Sequence, residues 1–97
     1  MHAVVRETYY DSDQPIQERG AFKEFQALHA EQKGYKGTIV VDAGDGRYLT
    51  LTLWRTPAEA DAARDALGPA IARLLNPLMT APAKLAGTGP VVVNDLV

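Results

Sequence analysis

The chain has 97 residues, with 10 Lys and Arg against 12 Asp and Glu, a formal charge of -2, and no cysteine. This length fits one domain spanning 1–97, and the absence of cysteine excludes disulfides, thiolate nucleophiles and Cys-ligated metals. The scattered, nearly balanced charge disfavours nucleic-acid binding. The uncharged stretches are too short to span a membrane, and no secretory signal is recognisable, so we expect a cytoplasmic protein.

The first two predicted elements are a strand and a helix. His2 to Tyr9 is rich in Val, Thr and Tyr, which favour strands. A helix is predicted from an N-cap at Asp13 to Lys33, with Gly34 as its C-terminal stop. One stripe of this helix should face a sheet, and it contains Ala21, Phe22, Phe25, Leu28, His29 and Gln32.

The next predicted unit is a β-hairpin. Tyr35 to Asp42 has strand character, an Asp-Gly turn follows, and Tyr48 to Trp54 returns as a third strand. Because side chains alternate along a strand, this third strand has two different faces. One face carries Tyr48, Thr50, Thr52 and Trp54, and the other carries Leu49, Leu51 and Leu53.

The last predicted elements are a helix and a strand. Thr56 and Glu59 form a capping box that starts the second helix, and Gly68-Pro69 should kink or split it. The β-forming tail Val91 to Val97 is predicted as the fourth strand. The order βαββαβ predicts an α+β, ferredoxin-like fold, with a four-stranded antiparallel sheet and two helices on one face.

Three stretches in this order resemble the antibiotic biosynthesis monooxygenase family of dimeric α/β barrels. They are Gly34-Tyr35-Lys36-Gly37, Leu51-Thr52-Leu53-Trp54-Arg55-Thr56, and Glu59-Ala60. The resemblance implies a homodimer in which two sheets pack face to face, and a cavity in each subunit between its sheet and helices. It also implies a small-molecule function, since the family includes cofactor-independent oxygenases of quinols and phenols, haem-degrading enzymes and members of no known activity.

The resemblance places Trp54 in the wall of that cavity. Tyr48, Thr50 and Thr52 would continue the wall, offering hydroxyls and an indole N–H to orient a flat aromatic substrate, with Phe22 and Phe25 opposite. The alternative is that Trp54 only fills the core beneath the second helix.

Two further residues are candidates for proton transfer. His29 lies on the inward stripe, and an ordinary pKa near 6.5 suits it to remove a phenolic proton so that the substrate can reduce O₂. The alternative is a histidine at the edge of the core, bonded to backbone or water. Glu7 could assist His29 in the cavity, or could instead form an ion pair or lie at the rim of the cavity.

No cofactor and no metal are predicted. Haem-degrading relatives need an axial histidine on the second helix, and residues 57–79 contain none. The two histidines and scattered carboxylates show no metal-ligand spacing. The sequence therefore favours a cofactor-independent monooxygenase acting on a small phenolic or quinol substrate and O₂, and the alternative is a non-catalytic dimeric binding module of the same fold.

Overall fold

In a computed structural model that describes residues 1–96, strands and helices follow the predicted βαββαβ order. The sheet is antiparallel, with the strand order β2-β3-β1-β4 and both helices on one face. The ferredoxin-like, α+β fold class is thus confirmed. The elements are β1 (His2–Tyr10), α1 (Gly20–Ala30), β2 (Tyr35–Gly44), β3 (Arg47–Trp54), α2 (Pro57–Ala70) and β4 (Met79–Pro90).

The pairing of β1 with β3 decides which side chains face the helices. Val4 lies opposite Thr52, and Arg6 lies opposite Thr50, whereas Glu7 lies opposite Leu49. Directly opposed residues project from the same face of a sheet. The even-numbered residues of β1 therefore share the helix-covered face with Thr50, Thr52 and Trp54.

The hydrophobic core lies between the sheet and the two helices. Ile16 and Trp54 are its most buried side chains, with 1% and 2% of their surfaces exposed. The other buried apolar residues are Tyr10, Phe25, Tyr48, Ala60, Ala63, Leu67, Leu74 and Leu75. This layer contributes hydrophobic stabilisation to the monomer, because it removes these apolar side chains from water.

The first helix starts later than its N-cap signal indicated. Residues Ile16–Glu18 form a short 3₁₀ turn, and α1 begins only at Gly20. The turn buries Ile16, and its backbone N–H donates to the Tyr48 hydroxyl at 3.1 Å. Arg19 binds the Asp11 carboxylate and holds the loop closed. These contacts with the core outweigh the local helix signal at Asp13.

The second helix starts as predicted but does not break at Gly68-Pro69. The Thr56 hydroxyl accepts a hydrogen bond from Glu59 N–H at 3.2 Å, which completes the N-cap. The α-helical geometry continues through Pro69 and gives way at Ile71 to a π-helical turn, Ile71–Leu75. Among the described residues, no helix combines the length and apolar character that a membrane span requires.

The predicted fourth strand is wrong. β4 is Met79–Pro90, and residues 91–96 have no regular structure; Val97 lies outside the described residues. Pro90 already pairs with His2, the first residue of β1, so the valines that follow run beyond the end of their only neighbouring strand. Pro82 is tolerated in β4 because a strand at the sheet edge needs hydrogen bonds on one side only.

Candidate functional site

A cavity of about 150 Å³ lies between the sheet and the helices. An apolar cavity of this size has room for a benzene-sized ring. Its lining is mostly apolar, with a few polar side chains, as is usual for small-molecule sites. The predicted residues that line it are Phe22, Phe25, His29, Thr50, Thr52 and Trp54.

His29 projects from the last turn of α1 into a cluster of aromatic rings. Its ring centroid lies 5.4 Å from Phe25, 5.4 Å from Trp54 and 5.5 Å from Tyr35. Aromatic rings at such distances pack tightly and restrict one another's orientation. The imidazole is thus fixed at the wall of the cavity, where it can meet a bound ring.

Burial and, as the smaller cause, the positive charge of Arg6 together lower the pKa of His29 from 6.5 to about 4. Both causes favour the neutral imidazole, because burial and a nearby cation each disfavour a second positive charge. At pH 7 His29 is therefore neutral and has a nitrogen free of a proton. A neutral imidazole has a free nitrogen that can accept a proton from a substrate hydroxyl, but the lowered pKa makes His29 a weaker base than the ordinary value near 6.5 indicates.

The Trp54 indole is held in place by a hydrogen bond to its own strand, β3. Its indole N–H donates to the Thr52 hydroxyl at 3.2 Å, and that hydroxyl donates to the Val4 carbonyl at 3.4 Å. The expectation that the indole N–H orients a ligand is wrong, since the group is already used within the protein. The Trp54 ring still forms part of the cavity wall and packs against His29.

Tyr48 shares the face of Trp54 but does not reach the cavity. Its ring is 5% exposed and packs edge-to-face on Tyr10, with centroids 5.9 Å apart. Its hydroxyl accepts the hydrogen bond from Ile16 N–H. The structure therefore corrects the assignment of Tyr48 to substrate binding, and gives it the task of anchoring the loop before α1.

Glu7 is also misplaced by the sequence interpretation. It projects from the opposite face of the sheet, beside Arg47, whose guanidinium forms an ion pair with it. This contact, together with the Tyr9 hydroxyl, holds the pKa of the Glu7 carboxyl below its usual range. Glu7 cannot assist His29 from there, and the ion-pair alternative is the correct one.

Sequence reasoning missed two polar residues of β1 that line the cavity, Arg6 and Thr8. Their period-two spacing with Val4 and Tyr10 was a usable signal, but the prediction that Glu7 faces the cavity pointed to the other face of the strand. Gln26, Thr38 and Arg64 also line it. Tyr35 completes the aromatic cluster around His29, and its hydroxyl is 2.8 Å from that of Thr38.

Within residues 1–96, no group of three or more His, Cys, Asp or Glu side chains is arranged to hold a metal ion.

Several solved structures have the same fold. No family model matches the chain, and no curated protein matches it. The structure of SnoaB, a cofactor-independent oxygenase from Streptomyces nogalater, is 18% identical with a TM-score of 0.68, covering 96% of this chain and 93% of that one. The chain has the antibiotic biosynthesis monooxygenase fold.

Two other structures agree with this assignment. One, described as an antibiotic biosynthesis monooxygenase, is 12% identical with a TM-score of 0.73, and covers 96% of this chain and 100% of its own. The other, a protein of unknown function from Nitrosomonas europaea, is 11% identical with a TM-score of 0.76. The match covers 99% of this chain and 93% of that one. At these identities the likeness establishes the fold alone, and evidence for an activity must come from the cavity.

Proposed function

We propose that the protein is a cofactor-independent monooxygenase that oxidises a small phenol or quinol. The observation that carries this proposal is a neutral, immobilised His29 at the wall of an aromatic cavity with room for one ring. The fold shared with SnoaB, described as a cofactor-independent oxygenase, adds support.

His29 acts as the general base. It takes the proton of a ring hydroxyl, and the resulting phenolate is electron-rich enough to transfer electrons to O₂ directly. The overall reaction balances without a further reductant: a quinol and O₂ give a hydroxyquinone and water. The quinol supplies all four electrons, one oxygen atom enters the ring, and the other leaves as water.

The remaining predicted residues hold the ring against the base. Phe22 and Phe25 supply apolar contact from α1, and Thr50 offers a hydroxyl from the sheet. Trp54 is a positioning residue, because it packs on His29 while its own N–H is satisfied by Thr52. Fixing a base near its substrate contributes to rate by removing the entropy cost of bringing the two together.

Oxygen consumption tests the proposal. We expect uptake of O₂ by the purified protein with a panel of benzene and naphthalene quinols and no added flavin, haem or metal. His29→Gln keeps a polar side chain of similar reach but removes the base, so activity should fall by roughly 10² or more in a folded protein. Full activity in this variant would exclude His29 as the base.

The alternative function is a non-catalytic binding module with the same fold. A cavity closed by the Phe22 and Phe25 side chains would favour it, whereas the observed space of about 150 Å³ suits a ring. Quinols that bind without any uptake of O₂ across the panel would support this alternative over the enzyme.

We further propose that two copies pair through the uncovered face of the sheet. This face carries an apolar row on β2 and β3, of which Ile39 and Val41 are 44% and 49% exposed. Leu51 lies in the centre of this row, opposite both Val5 and Ile39. Contiguous exposed apolar surface of this kind is a usual sign of an interface between subunits.

A further inference from the structure

Arg6 is a half-buried cation that lacks a counter-ion among the residues the structure describes. It projects from the middle of β1 into the cavity, and within residues 1–96 no acidic side chain forms an ion pair with it. It makes no side-chain hydrogen bond in this part of the chain either. Burial of an unpaired guanidinium costs free energy, because the charge loses water without gaining a protein partner.

A second arginine lies close to the first. Arg64 reaches from α2 to line the same cavity, and its charge, after burial, is the second cause that lowers the pKa of Arg6. Among the described residues, the acidic side chain within 4.0 Å of its guanidinium is Asp61, at a long 3.8 Å and with both side chains mostly exposed. Such an exposed contact is weak and leaves Arg64 available to another anion.

The two arginines also line a second space that adjoins the cavity. Besides the main cavity, a groove of about 50 Å³ runs between the β1–β4 edge and α2, and both spaces are lined by Val4, Arg6, Ala60 and Arg64. Asp61 borders the groove but not the cavity. Two converging cations at such a junction repel each other until an anion lies between them.

We propose that Arg6 and Arg64 bind the carboxylate of an aromatic acid whose ring occupies the cavity beside His29. A carboxylate fits because its two oxygens match the fork of donors on a guanidinium. It is also ionised at neutral pH, whereas a phenol with a pKa near 10 is not. The buried Thr8 hydroxyl, which has no hydrogen-bond partner in the described residues, lies on the same cavity wall and offers a further polar contact.

This inference rests on the proposed function, which places the substrate ring beside His29. It narrows the substrate class to phenols or quinols that carry a carboxylate. Binding can be measured without turnover. We would compare 4-hydroxybenzoate with its neutral counterpart 4-hydroxybenzamide by calorimetry at pH 7. Trp54 is the chain's only tryptophan and lines the cavity, so its fluorescence reports whether the ligand binds there.

The wild-type protein should bind the carboxylate about 10- to 100-fold more tightly than the amide, as charge-assisted hydrogen bonds imply. Arg6→Gln should reduce this preference to within about threefold, and Arg64→Gln should reduce it in part. Arg73→Gln is the matched control: it removes the same charge from a residue that contacts Glu24 outside the cavity, and should change nothing. Arg6→Lys, which keeps the charge but loses the fork, should retain part of the preference.

Equal affinities for the two ligands in the wild type, no binding of either at millimolar concentration, or an undiminished preference in folded Arg6→Gln would each overturn the proposal. The wild-type comparison decides the matter even if a variant fails to fold. A carboxylate preference in a protein that consumes no O₂ would sustain this inference and reject the monooxygenase. Oxygen uptake without a carboxylate preference would sustain the monooxygenase and reject this inference.

Discussion

At the scale of single residues, the environment of His29 couples its protonation to the stability of the fold. Its pKa is lowered to about 4 in the folded protein, chiefly by burial, whereas an unfolded chain has the ordinary value near 6.5. Between these two values the unfolded state binds the proton first. Stability that is present above pH 6.5 is therefore lost as the pH falls towards 4.

We predict that this linkage removes about 2 kcal/mol of unfolding free energy between pH 7 and pH 4.5. Urea titrations at both pH values measure it. Carboxylates also titrate in this range, so the contribution of His29 is the difference between wild type and His29→Gln, which cannot take up the proton. An equal loss of stability in both proteins would show that His29 is not buried as described.

Tyr48 gives a prediction that separates structure from binding. In Tyr48→Phe the buried Ile16 N–H loses its acceptor, which should cost about 1 to 3 kcal/mol in urea unfolding. Oxygen uptake per folded molecule should not change, since Tyr48 does not line the cavity. Tyr9→Phe is a suitable control, because its hydroxyl lies on the other face and bonds to the part-exposed Glu7. A lower activity with unchanged stability would return Tyr48 to the substrate site.

Sequence placed His29 in the cavity through the helical stripe, and Trp54 through the family resemblance. It could not place Glu7 and Arg6, because alternation alone leaves the inward face of the first strand undecided. That choice depends on the register, in which Arg6 lies opposite Thr50. A shift of one residue in a strand exchanges its two faces, so the wrong face was chosen and the cavity arginine was missed.

At the scale of elements, the turn between β2 and β3 has little tolerance for change. Gly46 has a φ of +81°, and a Cβ atom there would lie 2.1 Å from the Tyr10 carbonyl oxygen. Tyr10 is also hydrogen-bonded to the turn, since its backbone N–H donates to the Gly46 carbonyl oxygen at 2.8 Å. The Tyr10 backbone cannot move away from an added Cβ atom as the end of a flexible side chain could.

Gly46→Ala should therefore destabilise the protein by more than about 1 kcal/mol, through strain and the loss of this pairing. Gly68→Ala is the matched control. It lies inside α2 with nothing within 4 Å of the added atom, and should stabilise the helix by up to about 1 kcal/mol. The melting temperatures of the two variants, each compared with the wild type, measure the difference. A Gly46→Ala protein as stable as the wild type would contradict the geometry of the turn.

The elements that sequence predicted well are those specified by local signals. The Asp-Gly turn and the Thr56 capping box depend on a few neighbouring residues, and both occur where expected. The start of α1 and the position of β4 depend on distant partners: the Ile16 contact with Tyr48, and the length of β1 available for pairing. β-Propensity favoured the valine tail, but a strand needs a neighbour, and β1, which begins at His2, has no residues left to pair with the tail.

At the scale of the whole molecule, the uncovered sheet face should govern assembly. We predict a dimer in sedimentation equilibrium at micromolar concentration. Leu51→Asp should convert it to a monomer, because the change places an unpaired charge in the middle of an apolar interface. Ala58→Asp adds the same charge to an exposed position near the start of α2 and should leave the dimer intact. A wild-type monomer at these concentrations would refute the pairing.

The central claim is that the cavity around His29 performs monooxygenation without a cofactor, and isotope labelling tests it most directly. A quinol is incubated with the metal-free, flavin-free protein under ¹⁸O₂, and the product is analysed by mass spectrometry. The account predicts a hydroxyquinone with one ¹⁸O atom, formed at a rate that falls by roughly 10² or more in His29→Gln. Recovery of unlabelled quinone only, or labelling that proceeds equally in the variant, would contradict it.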